Sequence, residues 1–434
     1  MTQGPNWKYN QNQADSRVYS AMIITEREPL LIENTYIQEM YFVEDIFKQC
    51  LIGKISFLDR GGLMEFASFS GAEKIAIIYS VGESDRTLLF DIWKIGKIQQ
   101  AASSKREQEQ LMEIIFVDPF YTSYILTRYS RSFTNQKISD IVKYTLDKMM
   151  FYEDSGATYN IEQTSNSMDY VMPYWTPRQS LGYLAKRARG TDTGEGGYLC
   201  YNNTKNDKTG LRVNFVSLNY LFADIERTLD PQQYRMADMD STNRNVILEW
   251  WITGMDKTSQ VRLKGGTWKG YDFARKKLLD EELQYKSAME RTTILGRQSL
   301  FGPIDDPTTY VTVTGESNED TLSNFAYTEW VKRYSMQQVV NIIVQGDENR
   351  FAGQMIQIEW PSRLKEQGFN EALQGKFLIK SVTHTFSSGK EFPYTQRLVL
   401  LKNGYHNMET EWLLPSKIIN TTKYDKAPTI IRRS

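Results

Sequence analysis

Four stretches toward the C-terminal end decide the fold class: QQVVNIIVQGD at 337–347, QMIQIEW at 354–360, KFLIKSVTHTF at 376–386 and TQRLVLLKNG at 395–404. Each is short, rich in β-branched and aromatic residues, and set off by turn-forming residues, the pattern of strands and their connections. No long helical pattern separates them, so they predict an antiparallel barrel or sandwich. Alternation within KFLIKSVTHTF predicts Leu378, Lys380, Val382 and His384 on one strand face. The strand NVILEWWITGMD at 245–256 belongs with this set.

Working outward, the same texture occupies the first quarter of the chain: TYIQEMYFVEDIF at 35–47, CLIGKISFLD at 50–59, KIAIIYSV at 74–81, RTLLFDIWKI at 86–95 and QLMEIIFV at 110–117. A second antiparallel barrel is predicted there, with the polar run QQAASSKREQEQ at 99–110 as a loop or short exposed helix between two strands. Near Phe120 the spacing turns helical. Ile138, Ile141, Val142, Thr145, Leu146 and Met149 fall on one helix face, with caps available in Ser132 to Asn135. Thr176-Pro177 reads as an N-cap followed by proline at the first helical position, and Leu181, Leu184, Ala185 and Ala188 as the buried face. The run Lys186-Arg187-Ala188-Arg189 is expected in the last turn of that helix, complementing its dipole. A hairpin of GYLCY and LRVNFV follows.

The expected architecture is therefore α+β, mainly β: two antiparallel barrels flanking an α/β middle domain, with a loop-rich insertion and a tail. The boundaries are an N-terminal arm at 1–27, a first barrel at 28–117, the middle domain at 118–242, a second barrel at 243–275 and 336–404, an insertion at 276–335, and a C-terminal docking tail at 405–434. Tyr271 to Met289 reads as a Lys-rich helix, and 296–330 as loops around the one strand TYVTVTG.

The 434 residues are 40% hydrophobic and 24% charged, a composition that folds into packed cores. With 52 Lys and Arg against 53 Asp and Glu, the formal charge of −1 offers no bulk attraction to nucleic acid or anionic membrane. The polar N-terminus has no signal-peptide pattern, and no apolar run approaches the ~20 residues of a membrane helix. Cys50 and Cys200 lack the spacing of a zinc ribbon, and a reducing compartment fits. Only two histidines are present. His384 reads as a packing or hydrogen-bonding residue and His406, after the turn Asn403-Gly404, as solvent-facing. No zinc-protease, P-loop or nucleophile-elbow motif occurs, and Gly190 to Gly197 is spaced wrongly for a dinucleotide fingerprint. Two carboxylates suffice for glycoside hydrolysis, but Glu44-Asp45, Asp305-Asp306 and Glu281-Glu282 read as solvated surface. The sequons at Asn202 and Asn420 read as chance occurrences. No catalytic residue, cofactor or metal site is assigned.

In order along the chain, ENTYIQEMYFVEDIFKQCLIGKISFLDRGGL with SGAEKIAIIYSV, YILTRYSRSFTNQKISDIVKYTL, MPYWTPRQSLGYLAKRA with GYLCYNNTKNDKTGLRVNFVSLNYL, and GQMIQIEWPSRL with GKFLIKSVTHTFSSGKEFPYTQRLVLLKNG resemble the baseplate hub proteins of contractile-tailed bacteriophages. That family is related to the hub part of type VI secretion spikes. The resemblance spans about residues 28 to 404. It implies a non-enzymatic homotrimer whose two tube-like barrels per chain form a pseudo-sixfold ring. Such a ring adapts a hexameric tail tube, or its initiator, to a trimeric membrane-puncturing spike. The implied partners are further copies of the chain, the spike, the tube, baseplate wedge and tape measure proteins. DNA would pass through the lumen without specific binding, no stable membrane insertion is implied, and the location is the baseplate of the virion. The alternative is a tail-associated glycan-binding or glycan-hydrolysing protein, given 26 Tyr, 20 Phe and 9 Trp. Candidate interface residues are Trp250 and Trp251, one of which alternation sends outward, and Trp412, Leu413, Leu414, Ile430 and Ile431 in the tail.

Overall fold

The computed structural model describes residues 19–407 apart from 26–28, 60–61, 63–68, 82–83, 101–109, 151–157, 192–195, 206–210, 224–231, 237–244, 256–265, 273–275, 284–291, 293–295, 298–309, 314–318, 361–373, 388–392 and 404–405. The first strands are β1 (Tyr19–Ile24), β2 (Leu30–Ile32), β3 (Ile37–Asp45), β4 (Ile52–Asp59), β5 (Lys74–Val81), β6 (Ser84–Gln100) and β7 (Gln110–Val117). Then come helix α1 (Tyr121–Leu126), β8 (Tyr129–Lys137), helix α2 (Ile138–Tyr144) running into a π-helical turn (Thr145–Met149), β9 (Thr158–Ile161), β10 (Ser167–Trp175), helix α3 (Pro177–Ala185), β11 (Tyr198–Asn203), β12 (Arg212–Ser217) and helix α4 (Leu218–Ala223). The last part holds β13 (Gln232–Met236), β14 (Val246–Met255), β15 (Gly266–Asp272), β16 (Lys277–Leu283), β17 (Gly296–Arg297), β18 (Tyr310–Val313), helix α5 (Glu319–Tyr334), β19 (Gln338–Gln345), β20 (Met355–Glu359), β21 (Gly375–Ser387), β22 (Tyr394–Lys402) and β23 (His406–Asn407).

The chain is mainly β, as its alternation predicts, but its two strand groups are not separate sheets. Thirteen strands follow one another in the order β2-β1-β5-β6-β7-β4-β3-β21-β20-β13-β14-β19-β22. The ladder between β3 and β21, from Asp45↔Ser381 to Glu39↔Ser387, joins the first group to the second. β21 is long enough to do this because its first residues pair with β20, while its later ones pair with β3 on that edge and with β22 on the other. The pairings of the second group thereby run in a circuit, from β21 through β20, β13, β14, β19 and β22 back to β21.

Several local expectations are corrected. Tyr19–Ile24, expected in a polar arm, is a sheet strand, since Tyr19, Ala21 and Ile23 alternate inward and bury. Ser132 to Asn135 lie inside β8 rather than capping α2, whose N-cap is Lys137 with no side-chain bond. The stretch expected as a Lys-rich helix from Tyr271 holds strands β15 and β16. Buried Leu279 and Leu283 are four apart, a spacing that serves one face of a helix and one face of a strand equally. The segment expected as loops to Trp330 contains α5, whose Leu322, Ala326, Tyr327, Trp330 and Val331 are buried at helical spacing. β13 has no counterpart among the expected strands, because in QQYRM only Tyr234 and Met236 are apolar among polar residues, and it pairs in parallel with both β14 and β20. In β21 the alternation breaks at a bulge between Ile379 and Ser381, so Leu378 and Val382 enter different clusters.

Other expectations hold. Thr176 and Gln179 form a capping box at α3, with Pro177 in the first turn. The basic run, expected in the last turn of that helix, is instead corrected: the last turn holds no basic residue and the run starts at the C-cap Lys186, just past the helix, where Arg187 donates back to the Tyr183 carbonyl at 2.8 Å. The hairpin β11–β12 pairs from Tyr198↔Ser217 to Asn203↔Arg212. The QQAASSKREQEQ run ends two paired strands, with residues 101–109 outside the described residues.

Four apolar clusters fill the molecule. One lies inside the first strand group and takes Phe386 and Tyr394 from β21 and β22. A second lies within the circuit of the second group. A third holds α2, α3 and the β8–β10 ribbon together. The fourth packs α4 and α5 against β11 and β21. Their boundaries meet around one polar centre.

Candidate functional site: a buried polar junction

Glu44 on β3 and His384 on β21 face the interior where the two strand groups join, and both are 0% exposed. Their register explains this: Phe42 opposes His384 and Glu44 opposes Val382, all on the inner face. The Phe42 ring stacks on the His384 imidazole at 4.1 Å between centroids. Glu44 Oε1 accepts from His384 Nε2 at 3.0 Å and from the Thr204 hydroxyl, while its Oε2 accepts from the Ala352 backbone N–H at 2.9 Å. One carboxylate thus ties β3 to β21, to the end of β11, and to the loop before β20.

The histidine's state follows from its partners. Nε2 must donate to the Glu44 carboxylate, which leaves Nδ1 to accept from the Tyr394 hydroxyl at 2.8 Å. Tyr394 in turn accepts from Gln396 Nε2 at 2.9 Å. Burial holds the imidazole below its ordinary 6.5, against the opposing pull of Glu44. It is a neutral hydrogen-bonding residue, as its position in a strand suggests.

Arg350, 2% exposed, closes the network on the side of the second group. Its Nε donates to the Tyr234 hydroxyl at 2.6 Å, Nη1 to the Gln345 carbonyl at 2.7 Å and to Gln396 Oε1, and Nη2 to Asn245 Oδ1 at 3.0 Å. Arg86 on β6 reaches across the junction, with Nη1 donating to the Glu348 carbonyl at 2.8 Å and Nη2 to the Thr204 carbonyl. Gly353 allows the approach of the loop: its φ is +87°, and a Cβ there would stand 2.2 Å from the Tyr201 hydroxyl.

The middle unit contributes Asn202-Asn203-Thr204, all buried. Asn202 donates to Asp118 Oδ2, Asn203 to the Ala352 carbonyl at 2.9 Å, and Thr204 to Glu44. The sequence shows this tripeptide as a sequon, and burial removes it from modification. Three polar residues closing an otherwise apolar strand are the signal that marks it. Asp118 is raised to about 6 by burial, opposed by the bonds from Asn202 and Phe120. Cys50 and Cys200 are both free, and burial pushes both thiols up, Cys200 to about 12.

Glu44, expected on solvated surface, is the most connected carboxylate of this centre, and Asp45 beside it is nearly buried, accepting from the Phe47 N–H at 2.8 Å. Asp305-Asp306 lie outside the described residues. Of the interface candidates, Trp250 packs on Trp360 at 5.0 Å in the second group's cluster, and Trp251 lies under the Arg397 guanidinium at 4.8 Å. Trp412, Leu413, Leu414, Ile430 and Ile431 lie outside the described residues. Among the described residues no three His, Cys, Asp or Glu side chains stand together as a metal-ligand set, and no helix is long and apolar enough to cross a membrane. Chemically the centre is a lock: Glu44 accepts from three other elements and Arg350 donates to Tyr234, Asn245 and Gln396, so its bonds cross element boundaries.

The overall fold is similar to those of several solved structures. The tail protein from Neisseria meningitidis MC58 matches with a TM-score of 0.55 and 12% identity, over 89% of this chain and 97% of that one. The chain has a tail-protein fold. The 43 kDa tail protein of prophage MuSo2 from Shewanella oneidensis gives a TM-score of 0.52 and 10% identity, over 89% of this chain and 98% of that one. A Francisella PdpA–VgrG complex structure gives 0.50 and 11%, over 89% of this chain and 58% of the other, longer one. No family model matches the sequence, and no curated protein does.

Proposed function

We propose that this chain is the structural baseplate hub of a contractile phage tail, a homotrimer whose two strand groups act as tube-like barrels in a pseudo-sixfold ring. The observation that carries the reading is the pair of strand groups welded at β3–β21 within a tail-protein fold that covers 97% of the Neisseria relative. On this reading, two strand groups per chain, repeated three times, would offer six units to a sixfold tube on one face and three chains to a threefold spike on the other. A part that transmits force between tube and spike needs its halves fixed to one another, and the buried Glu44–His384–Arg350 network supports that role. The partners on this reading are further copies of the chain, the spike, the tail tube or its initiator, wedge proteins and the tape measure protein, with DNA passing through the lumen. The Francisella structure, of a VgrG protein in complex with PdpA, supports a fold that bears partners. The domain limits of the sequence reading, with 28–117 and 243–275 plus 336–404 as the barrels, belong to this proposal.

The test is the solution mass of the full chain by light scattering at two concentrations. A species of three chains is expected. A hexamer would instead support a tube-type ring, and a monomer that stays monomeric when co-expressed with its candidate spike would overturn the hub.

A further inference from the structure

The outward face of the first strand group carries one apolar row that the cores do not use. The ladders align Leu31 with Met22, Met22 with Ala76 and Ala76 with Leu89, so the row crosses β2, β1, β5 and β6 at a single level. Its neighbours along the strands, Ala21, Ile23, Ile75, Ile77, Leu88 and Phe90, point the other way into the first cluster. Ala76 is buried, and the row offers its surface at Leu31, 60% exposed, at Leu89, 38% exposed, and at half-buried Met22. The rows on either side are more polar, with Ser20, Ile78 and Thr87 on one and Ile24 beside the Lys74–Asp91 ion pair on the other. Three strand steps of about 4.8 Å make the row about 14 Å long. β2 ends the sheet, and no described strand lies beyond it. Uncovered aliphatic side chains in line across four strands mark a surface that another segment covers.

We propose that this row docks the segment Asn6-Trp7-Lys8-Tyr9 of the same chain, laid back over β1 as an extended strap. In an extended segment Trp7 and Tyr9 share one side and Lys8 takes the other, so two aromatic rings face the aliphatic row while the ammonium stays in water. Between them and β1 lie Asn10 to Arg17, polar except for Ala14, which offer the row no competing large apolar side chain. Reach allows the contact. Tyr9 stands ten residues before Tyr19, at most about 35 Å of chain, whereas Met22 lies three residues along β1 from Tyr19, about 10 Å. The size of the row argues for a tethered occupant. Three part-exposed aliphatic side chains fall well short of the about 800 Å² per side of a stable interface between separate molecules. A tethered segment is present at an effective concentration of order mM and needs far less contact. No second copy is required, so the docking stands or falls apart from the self-association in the reading above.

The experiment uses the full chain with a photo-crosslinking phenylalanine derivative in place of Trp7, mixed with isotope-labelled full chain. Crosslinks within one chain are expected at 20–24, 30–32, 74–78 or 87–91. Leu31→Lys with Leu89→Lys, both at exposed positions, should lower their yield at least fivefold. Met22 supplies a readout without the crosslinker, because hydrogen peroxide converts its thioether to the sulfoxide. Trp7→Ser with Tyr9→Ser should speed that oxidation at least threefold relative to the parent. Met40, 0% exposed inside the first cluster, is the control for unfolding, and its oxidation should not change. Crosslinks elsewhere, crosslinks only between chains, a Met22 rate indifferent to the two serine substitutions, or a rise shared equally by Met40 would overturn the strap.

Discussion

Lys402, the last residue of β22, points with Leu398 and Leu400 into the cluster of the second strand group and is fully buried. Its Nζ donates to the Gln374 carbonyl at 2.8 Å and lies 5.2 Å from the Phe377 ring centroid; no carboxylate pairs with it among the described residues. Burial alone pulls the ammonium from its ordinary 10.5 down to about 7. At about 1.4 kcal/mol per tenfold change in proton affinity, that drop is a cost of about 5 kcal/mol at neutral pH, an upper bound before relaxation of the site. Lys402→Met keeps the length and removes the charge, while leaving the Gln374 carbonyl short of a donor at a cost of about 1–3 kcal/mol. The variant should therefore be more stable than the parent by about 2 kcal/mol in urea unfolding at pH 7. The sign of the pH dependence is also determined. Folding lowers this group's proton affinity, so the penalty is complete below the folded value and fades as pH rises toward that of the unfolded chain. Between pH 7 and pH 9 the advantage of Lys402→Met should shrink by about 2–3 kcal/mol. A variant less stable than the parent at pH 7, or an advantage that does not change with pH, would refute a buried and largely uncompensated ammonium.

Three further outcomes are expected. Glu44→Ala removes one acceptor from three donors on three elements and should destabilise by about 3–5 kcal/mol in urea unfolding, whereas a surface carboxylate would cost almost nothing. His384 is held below its ordinary value, so the unfolded chain takes up its proton first as pH falls below about 6.5 and stability drops there; His384→Gln should flatten that acid limb in melting temperatures taken between pH 7 and pH 5, where Asp118, shifted the other way, tilts in the opposite direction. Thr176→Ala removes the capping box of α3 and should cost about 1 kcal/mol, with Thr176→Asn close to the parent in the same thermal scan.

The sequence by itself determined the strands and helices whose periodicity is unambiguous. Alternation in 52–59 and 395–402 states which residues face inward, and Thr176-Pro177 states where a helix begins, because these signals act between residues close in the chain. It also made His384 a buried hydrogen-bonding residue, since a lone histidine in an apolar strand must satisfy its nitrogens. Where two periods coincide, as for Leu279 and Leu283, sequence could not choose, and pairing with β15 decided for a strand. Where the apolar signal is only two residues among polar ones, as with Tyr234 and Met236 in β13, its neighbours β14 and β20 made a strand of it. Tertiary structure alone decided that two strand groups are one sheet, because the β3–β21 ladder depends on edges more than 300 residues apart meeting, and a bulge at Ile379 sets which face meets which. It also decided the fate of Glu44 and of Asn202-Asn203-Thr204. A polar side chain buries only when its partners arrive from other elements, and no local pattern records their arrival.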